Sequence, residues 1–203
     1  NIAPAILNMW QPGTEGGNAV ANLIFGEAMP SGKLTMSFPR STGQCPIYYN
    51  HPSAGRPAGK SKFTSKYLDA PAEALFPFGY GLSYADFSYE KGKLSSKSIK
   101  AGESVTVTVD LKNNNNVASD EIVQVYVKRL GDKDAPVKAL KGFQRVSMKG
   151  GEKKSVSIEL PADSFEYYDS EADDLVVKSG KYEILYGSSS ADADLKALKL
   201  TVK

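Results

Sequence analysis

Histidine, tryptophan and cysteine each occur once in the 203 residues, and each scarcity removes a class of chemistry. The lone Cys45 excludes an internal disulfide framework and leaves the compartment open. It is expected to pack as a small apolar side chain. His51 has no second histidine and no cysteine pair to complete zinc-ligand spacing. No G-x-S-x-G marks a serine it could activate, and in His51-Pro52 it is expected on an exposed loop. No apolar run approaches the ~20 residues of a membrane helix. An excess of one charge is lacking as well. The net charge of +2 makes no demand for nucleic acid or an anionic membrane, and the basic scatter Arg56, Lys60, Lys62 and Lys66 is balanced by acid elsewhere. A dinucleotide fingerprint is missing, since Gly79-Tyr80-Gly81 would need glycine at Tyr84. Asp163, Glu166, Asp169, Glu171, Asp173 and Asp174 do not have EF-hand spacing, and solvated turns are the expected reading. No metal, cofactor, nucleic-acid partner or membrane contact is therefore assigned. Hydrophobic content of 41% and charged content of 24% are ordinary for a globular protein, and the length fits one domain or two small ones. The chain starts at Asn1 without an initiator Met or a signal peptide, and it reads as a fragment or a processed product.

What is present begins with WQPGTEGGNAVANLIFGEAMPSGKLTMSFP, Trp10 to Pro39. An apolar run through Ile6 and Leu7 to Trp10 reads as a strand, and Pro12-Gly13 as a turn. Thr14 is the expected helix N-cap, with Glu15 in the favourable first turn. Ala19, Val20, Leu23 and Ile24 share one helical face, and Gly26 is placed to end the helix. After the Pro30-Ser31-Gly32 turn, Leu34, Met36 and Phe38 alternate with polar residues as in a half-buried strand. That makes one α/β repeat whose apolar face requires sheet neighbours.

Residues 40–74 have another texture, interrupted by Pro46, Pro52, Pro57 and Pro71. Only Ile47-Tyr48-Tyr49 reads as a short strand, and a loop of this length is usually functional or mobile. In LFPFGYGLSY, residues 75–84, the aromatics Phe76, Phe78, Tyr80 and Tyr84 sit among helix breakers. Core packing is the expected role for them, ahead of sugar stacking.

From Asp86 the pattern is all-β. Val105, Val107, Val109 and Leu111 alternate with polar residues, and the run Asn113 to Asn116 turns the chain. Ile122 to Val127 is nearly continuously apolar, with Gln124 the exception. Lys141–Lys149 and Val156–Leu160 flank Gly150-Gly151, and Tyr182–Tyr186 and Leu198–Val202 complete the series. A turn of helix is expected near Asp163–Phe165. Short alternating strands between turn signals predict an immunoglobulin- or fibronectin type III-like β-sandwich.

These segments also carry a resemblance. PGTEGG, PSGKL, KFTSKYLD (62–69) and PFGYGLSY, followed by DEIVQVYV (120–127), PVKALKGFQRVSMKGGE (136–152) and SGKYEILYGSSS (179–190), resemble the end of glycoside hydrolase family 3 enzymes. The bacterial periplasmic β-glucosidases are the nearest in pattern. Lys66 stands where that pattern has arginine, and a lysine would not reproduce a forked hydrogen-bond pair. The resemblance implies a mainly β fold, with residues 1–85 the C-terminal remnant of an α/β domain with its long loop and 86–203 a fibronectin type III-like sandwich.

It also implies retaining glycoside hydrolysis, which needs a nucleophile and an acid/base carboxyl about 5 to 5.5 Å apart. The family's nucleophile is an aspartate of an N-terminal barrel, and no Ser-Asp-Trp segment resembling its motif occurs here. The acid/base glutamate belongs to a loop expected upstream of PGTEGG. No catalytic residue is therefore assigned, and the isolated chain is expected to be inactive. The barrel and the rest of the α/β domain are the implied partners, with an oligosaccharide as the whole enzyme's substrate and the periplasm or the exterior as its compartment. Trp10, Glu15 and Tyr80 are the candidates for the substrate rim. Helix-terminus stabilisation is the leading reading of Glu15, and core or interface packing that of Trp10. The alternative to an enzyme segment is a stand-alone carbohydrate- or protein-binding sandwich.

Overall fold

The computed structural model describes residues 3–53 and 55–203. The chain divides into two compact units, residues 1–30 and 31–203.

In the first unit the helix forms as expected but starts later. Helix α1 spans Gly16–Phe25, and Gly26 closes it in the left-handed conformation, φ 77°. Thr14 lies in the preceding turn, and the cap position falls to Glu15, which makes no side-chain bond to the backbone. The shift follows from the Pro12-Gly13 turn, in which Gly16 N–H donates to Gly13 O before Ala19 N–H donates to Glu15 O. The expected strand before the helix does not form. Ile6, Leu7 and Met9 are exposed within irregular backbone, so the run has the composition of a buried strand but not its burial. On α1, Ile24 and Phe25 are 63% and 81% exposed.

Among the described residues the second unit holds a sandwich and a short ribbon, built from β1 (Phe87–Leu94), β2 (Ser98–Ile99), β3 (Val105–Asn113), β4 (Ser119–Arg129), β5 (Ala139–Met148), β6 (Lys153–Leu160), β7 (Tyr167–Asp169), β8 (Asp174–Val176), β9 (Gly180–Gly187) and β10 (Leu195–Val202). One sheet runs β1-β3-β6 and the other β2-β10-β9-β4-β5, while β7 and β8 form a separate ribbon. All pairings are antiparallel except β2 with β10. The alternation of β3 buries Val105, Val107, Val109, Leu111 and Asn113, as a half-buried strand should. These meet Val123, Val125, Ile158, Leu160, Ile184 and Leu200 from the neighbouring strands to make the core.

Gly150-Gly151 joins strands of different sheets, so it is an arch and not a hairpin. Gly151 has φ 71°, and a Cβ on Gly150 would lie 2.3 Å from the Asn116 backbone. The asparagine run is held by side chains: Asn113 Nδ2 donates to Val117 O (2.8 Å) and Lys149 O (3.2 Å), and Asp86 N–H donates to Asn115 Oδ1 (2.7 Å). The expected helical turn is a 3-10 turn at Ala162–Phe165.

Residues 33–38 do not form a regular strand, although their alternation predicts one. They pair with residues 75–80 through an isolated bridge, Phe38 with Phe76, and through Leu34 N–H to Tyr80 O and Gly79 N–H to Leu34 O. A bend at Thr35-Met36 breaks the ladder. Ile47-Tyr48-Tyr49 is likewise irregular, and Cys45 is exposed, against the expectation that it packs. Its loop spends its burial on Gln44 instead, which is 4% exposed and donates to Pro71 O.

This arrangement predicts a pattern of proteolysis. In limited digestion, the first cuts are expected at residues 3–30 and 55–68, while 75–83 stay protected with the strands. Early cleavage inside 75–83 would contradict the packing described here.

Candidate functional site

The segments 31–38 and 75–83 lie over the five-stranded sheet as a two-arm strap, fixed by buried polar groups. Lys33 Nζ pairs with Glu121 Oε1 at 3.1 Å and donates to Gly81 O at 2.8 Å. Tyr89 hydroxyl donates to the same Glu121 oxygen at 2.8 Å. Glu121 begins the buried part of β4 and is 3% exposed. Burial pushes its carboxyl above the usual range, against the opposing pull of the Lys33 ammonium and the Tyr89 hydrogen bond. Burial first, and then the Glu121 charge, push the Tyr89 phenol far up.

Further along β4, Gln124 Nε2 donates to Gly79 O (3.0 Å) and Ser188 O (2.6 Å), and Tyr126 hydroxyl donates to Gln124 Oε1 (2.6 Å). This is why a glutamine interrupts an apolar strand. Tyr49 stacks on Phe78 with centroids 4.1 Å apart and meets Tyr126 edge-on at 5.9 Å. Leu140 N–H donates to Tyr49 hydroxyl, and Val137 N–H to His51 O. The first arm of the 40–74 loop is thereby fastened to the sandwich, and His51 itself is exposed, as expected.

The rim candidates fall in different units. Trp10, 57% exposed with φ 49°, and Glu15 belong to the first. Glu15 Oε2 accepts from Asn18 Nδ2 at 2.6 Å, so the carboxylate is engaged on the helix surface. Tyr80 belongs to the second unit, half-buried with its ring stacked on Phe76 at 5.5 Å. Phe76, Phe78 and Tyr80 pack against other rings at half-buried positions, whereas Tyr84, expected to pack with them, is 53% exposed.

Asp163, Glu171, Asp173 and Asp174 are exposed, as solvated turns would be, and Asp169 is the exception. Asp169 is 2% exposed, accepts from Ala172 N–H and binds Lys178 Nζ. Asp132, Asp134 and Asp169 gather their oxygens within 4.8 Å, a grouping that could hold a cation. Lys178 already supplies the positive charge, bonded to Asp169 and 3.8 Å from Asp132. Tyr167 hydroxyl donates to Asp132, and Ser170 to Asp134. The Tyr167 bond holds the Asp132 carboxyl below the usual range, and the Lys178 bond does so for Asp169. The chemistry of the trio is that of a satisfied internal salt bridge.

Lys33, Glu121 and Tyr89 were not singled out by the sequence reading. The visible signal was Gln124 alone, a polar side chain in a strand whose two faces are both covered.

The match to known proteins covers both parts of the chain. Residues 1–84 match the glycosyl hydrolase family 3 C-terminal domain, and 121–190 the fibronectin type III-like domain. A xylan 1,4-β-xylosidase of Xylanibacter ruminicola is 40% identical over 98% of this chain and 22% of its own length. The periplasmic β-glucosidase of Salmonella typhimurium is 39% identical over 93% of this chain and 25% of its own. The crystal structure of β-glucosidase from Listeria innocua in complex with isofagomine superposes with a TM-score of 0.86. It is 40% identical and covers 96% of this chain and 27% of its own. The chain therefore spans about a quarter of the length of these relatives. It matches the C-terminal part of glycoside hydrolase family 3 enzymes, with the family's C-terminal domain followed by the fibronectin type III-like domain.

Proposed function

We propose that this chain is the non-catalytic end of a retaining β-glycosidase that removes terminal β-linked sugars. The observation that carries the reading is the pair of family matches in one chain, in the order of the relatives and over about a quarter of their length. In this reading residues 1–85 complete an α/β domain and 86–203 form a buttress. The nucleophile and acid/base are supplied from outside this chain, which is inactive alone. The exposed Ile24 and Phe25 of α1 become the surface on which the remainder of that domain packs, since an apolar helix face gains stability only against a partner. Within the first unit Trp10 and Glu15, and separately within the second Tyr80, are the side chains this reading offers to the substrate rim. Export to the periplasm or beyond accords with one relative's name, and among the described residues no helix is long and apolar enough to cross a membrane.

The test is complementation. Mixed with a separately produced remainder of the enzyme, the chain is expected to restore hydrolysis of a chromogenic β-glucoside or β-xyloside that neither part performs alone. Hydrolysis by the chain alone, or stable association without any activity, would count against the reading. A stand-alone binding module is the competing reading, and saturable glycan binding by the isolated chain would favour it.

A further inference from the structure

Strand β5 ends the five-stranded sheet, so it pairs with β4 alone and has one outer edge. That edge is capped at both ends. Leu140 N–H donates to Tyr49 hydroxyl, and just ahead of the strand Val137 N–H donates to His51 O. At the far end Lys154 Nζ donates to Ser147 O at 3.3 Å. The register shift between Val125 and Tyr126 makes Lys141 the bulged residue, and beyond it the strand is regular. In an antiparallel ladder alternate residues turn both backbone groups away from the partner strand. Ser147 O points outward, so the N–H and C=O of Phe143 and Arg145 do as well. Among the described residues these outward groups have no partner. An edge left open in this way is a template for a further strand.

The side chains around it carry one sign of charge. Residues 136–154 hold six basic side chains and one acidic, Glu152, whose carboxylate accepts from Lys149 N–H. Lys138, Arg145 and Lys153 are paired with Asp192, Asp120 and Glu90. Lys141, Lys149 and Lys154 are in no ion pair among the described residues, and Lys141 reaches only the Glu166 backbone oxygen, at 3.4 Å. These three flank the open groups, at the bulge, just past the strand and at its capped end. Gly142 faces Ile158 and Leu160 in the core, so Phe143 stands on the opposite face, where it is 67% exposed.

This setting decides what can pair there. A second copy of β5 would bring lysines against lysines, and like charges set opposite each other are destabilising. A sugar polymer has no row of amide donors and acceptors to match the open backbone. An extended peptide has that row, its carboxylates can meet the lysines, and an apolar side chain between them can cover the Phe143 ring. We infer that the outer edge of β5 at Phe143 and Arg145 takes an extended acidic peptide segment as an added strand, its carboxylates held by Lys141, Lys149 and Lys154. The inference rests on the sandwich and is independent of the glycosidase reading.

The experiment uses the full-length polypeptide that carries this chain and a synthetic peptide alternating glutamate and valine. Calorimetric titration is expected to show saturable binding that weakens as salt is raised. Amide exchange should slow in residues 143–147 and stay unchanged in β3. The same peptide methylated along its backbone nitrogens keeps its charges but loses the ladder, and is expected to bind at least about tenfold more weakly. A peptide alternating lysine and valine should not bind. Lys149→Gln with Lys154→Gln, both exposed, is expected to weaken the acidic peptide about fivefold. Equal binding of the methylated peptide would reduce the site to a basic patch and overturn the inference. Protection falling on another strand would overturn it too. So would an absence of binding, which would mean that the edge is covered by the rest of the polypeptide.

Discussion

Replacing Lys33 with methionine is expected to lower the stability of the 31–203 unit by about 3 kcal/mol at pH 8, the lower end of the cost of breaking a buried ion pair. The low end applies because the Tyr89 hydroxyl still donates to the Glu121 carboxylate in the variant. The loss should shrink as pH falls. Glu121 has a raised pKa in the folded state, so folded protein binds more protons than unfolded protein from the ordinary carboxylate range upward. Its contribution to stability is therefore greatest below the unfolded pKa and falls as pH rises through the folded one. Removing Lys33 removes the cation that opposes this shift, which penalises the alkaline side most. At acid pH, where the carboxyl is protonated, about 1 kcal/mol for the lost hydrogen bonding should remain. Urea unfolding at both pH values measures the difference, and equal losses would show that the pair is not electrostatically important. Lys33→Met combined with Glu121→Leu is expected to recover much of the alkaline loss, because no buried charge is then left alone.

A second large effect is expected at Gly79. Its φ of 77° already disfavours a side chain, by about 1–2 kcal/mol. A Cβ there would also lie 2.0 Å from Gln124 Oε1 and 3.0 Å from the Tyr126 hydroxyl. Gln124 would have to give up its bonds to Gly79 O and Ser188 O, leaving buried polar groups unsatisfied at a cost of about 1–3 kcal/mol. Gly79→Ala should therefore cost about 4 kcal/mol in all. Amide exchange at Leu34 and Ser190, which donate to Tyr80 O and Phe78 O, should accelerate before the core strands open. A loss under about 1 kcal/mol would mean that the strap yields without disturbing Gln124.

The strands that could be read were those with an unbroken apolar pattern, an alternation in β3 and β6 or a nearly continuous run in β4. β3 buries every second residue and β6 does so from Val156 onward, so composition and burial agree. β1 was hidden because a register shift between Tyr89 and Gly92 breaks its period, and β7 and β8 are only three residues long each. Residues 33–38 show the opposite failure. Leu34, Met36 and Phe38 alternate as a strand would, yet their backbone meets residues 75–80 at only a few points. Thr14 missed the cap because local propensity cannot see that the proline-glycine turn carries the chain one residue further. Around the strap, nothing in the sequence next to Lys33 or Glu121 marks either as buried. Their pairing is a tertiary contact between distant segments, and burial is decided by what lies over a residue, which no local window reports. Gln124 was visible as an exception, but its partners at Gly79 and Ser188 were not.

The mass of the polypeptide that carries this sequence in its source tests the central claim most directly. Denaturing separation, with detection through an antibody to the β3–β6 sheet, is expected to find a chain about four times the 21.8 kDa of these residues, as the coverage of 22–27% in the relatives requires. A source polypeptide of 21.8 kDa that acts without any partner would contradict the account.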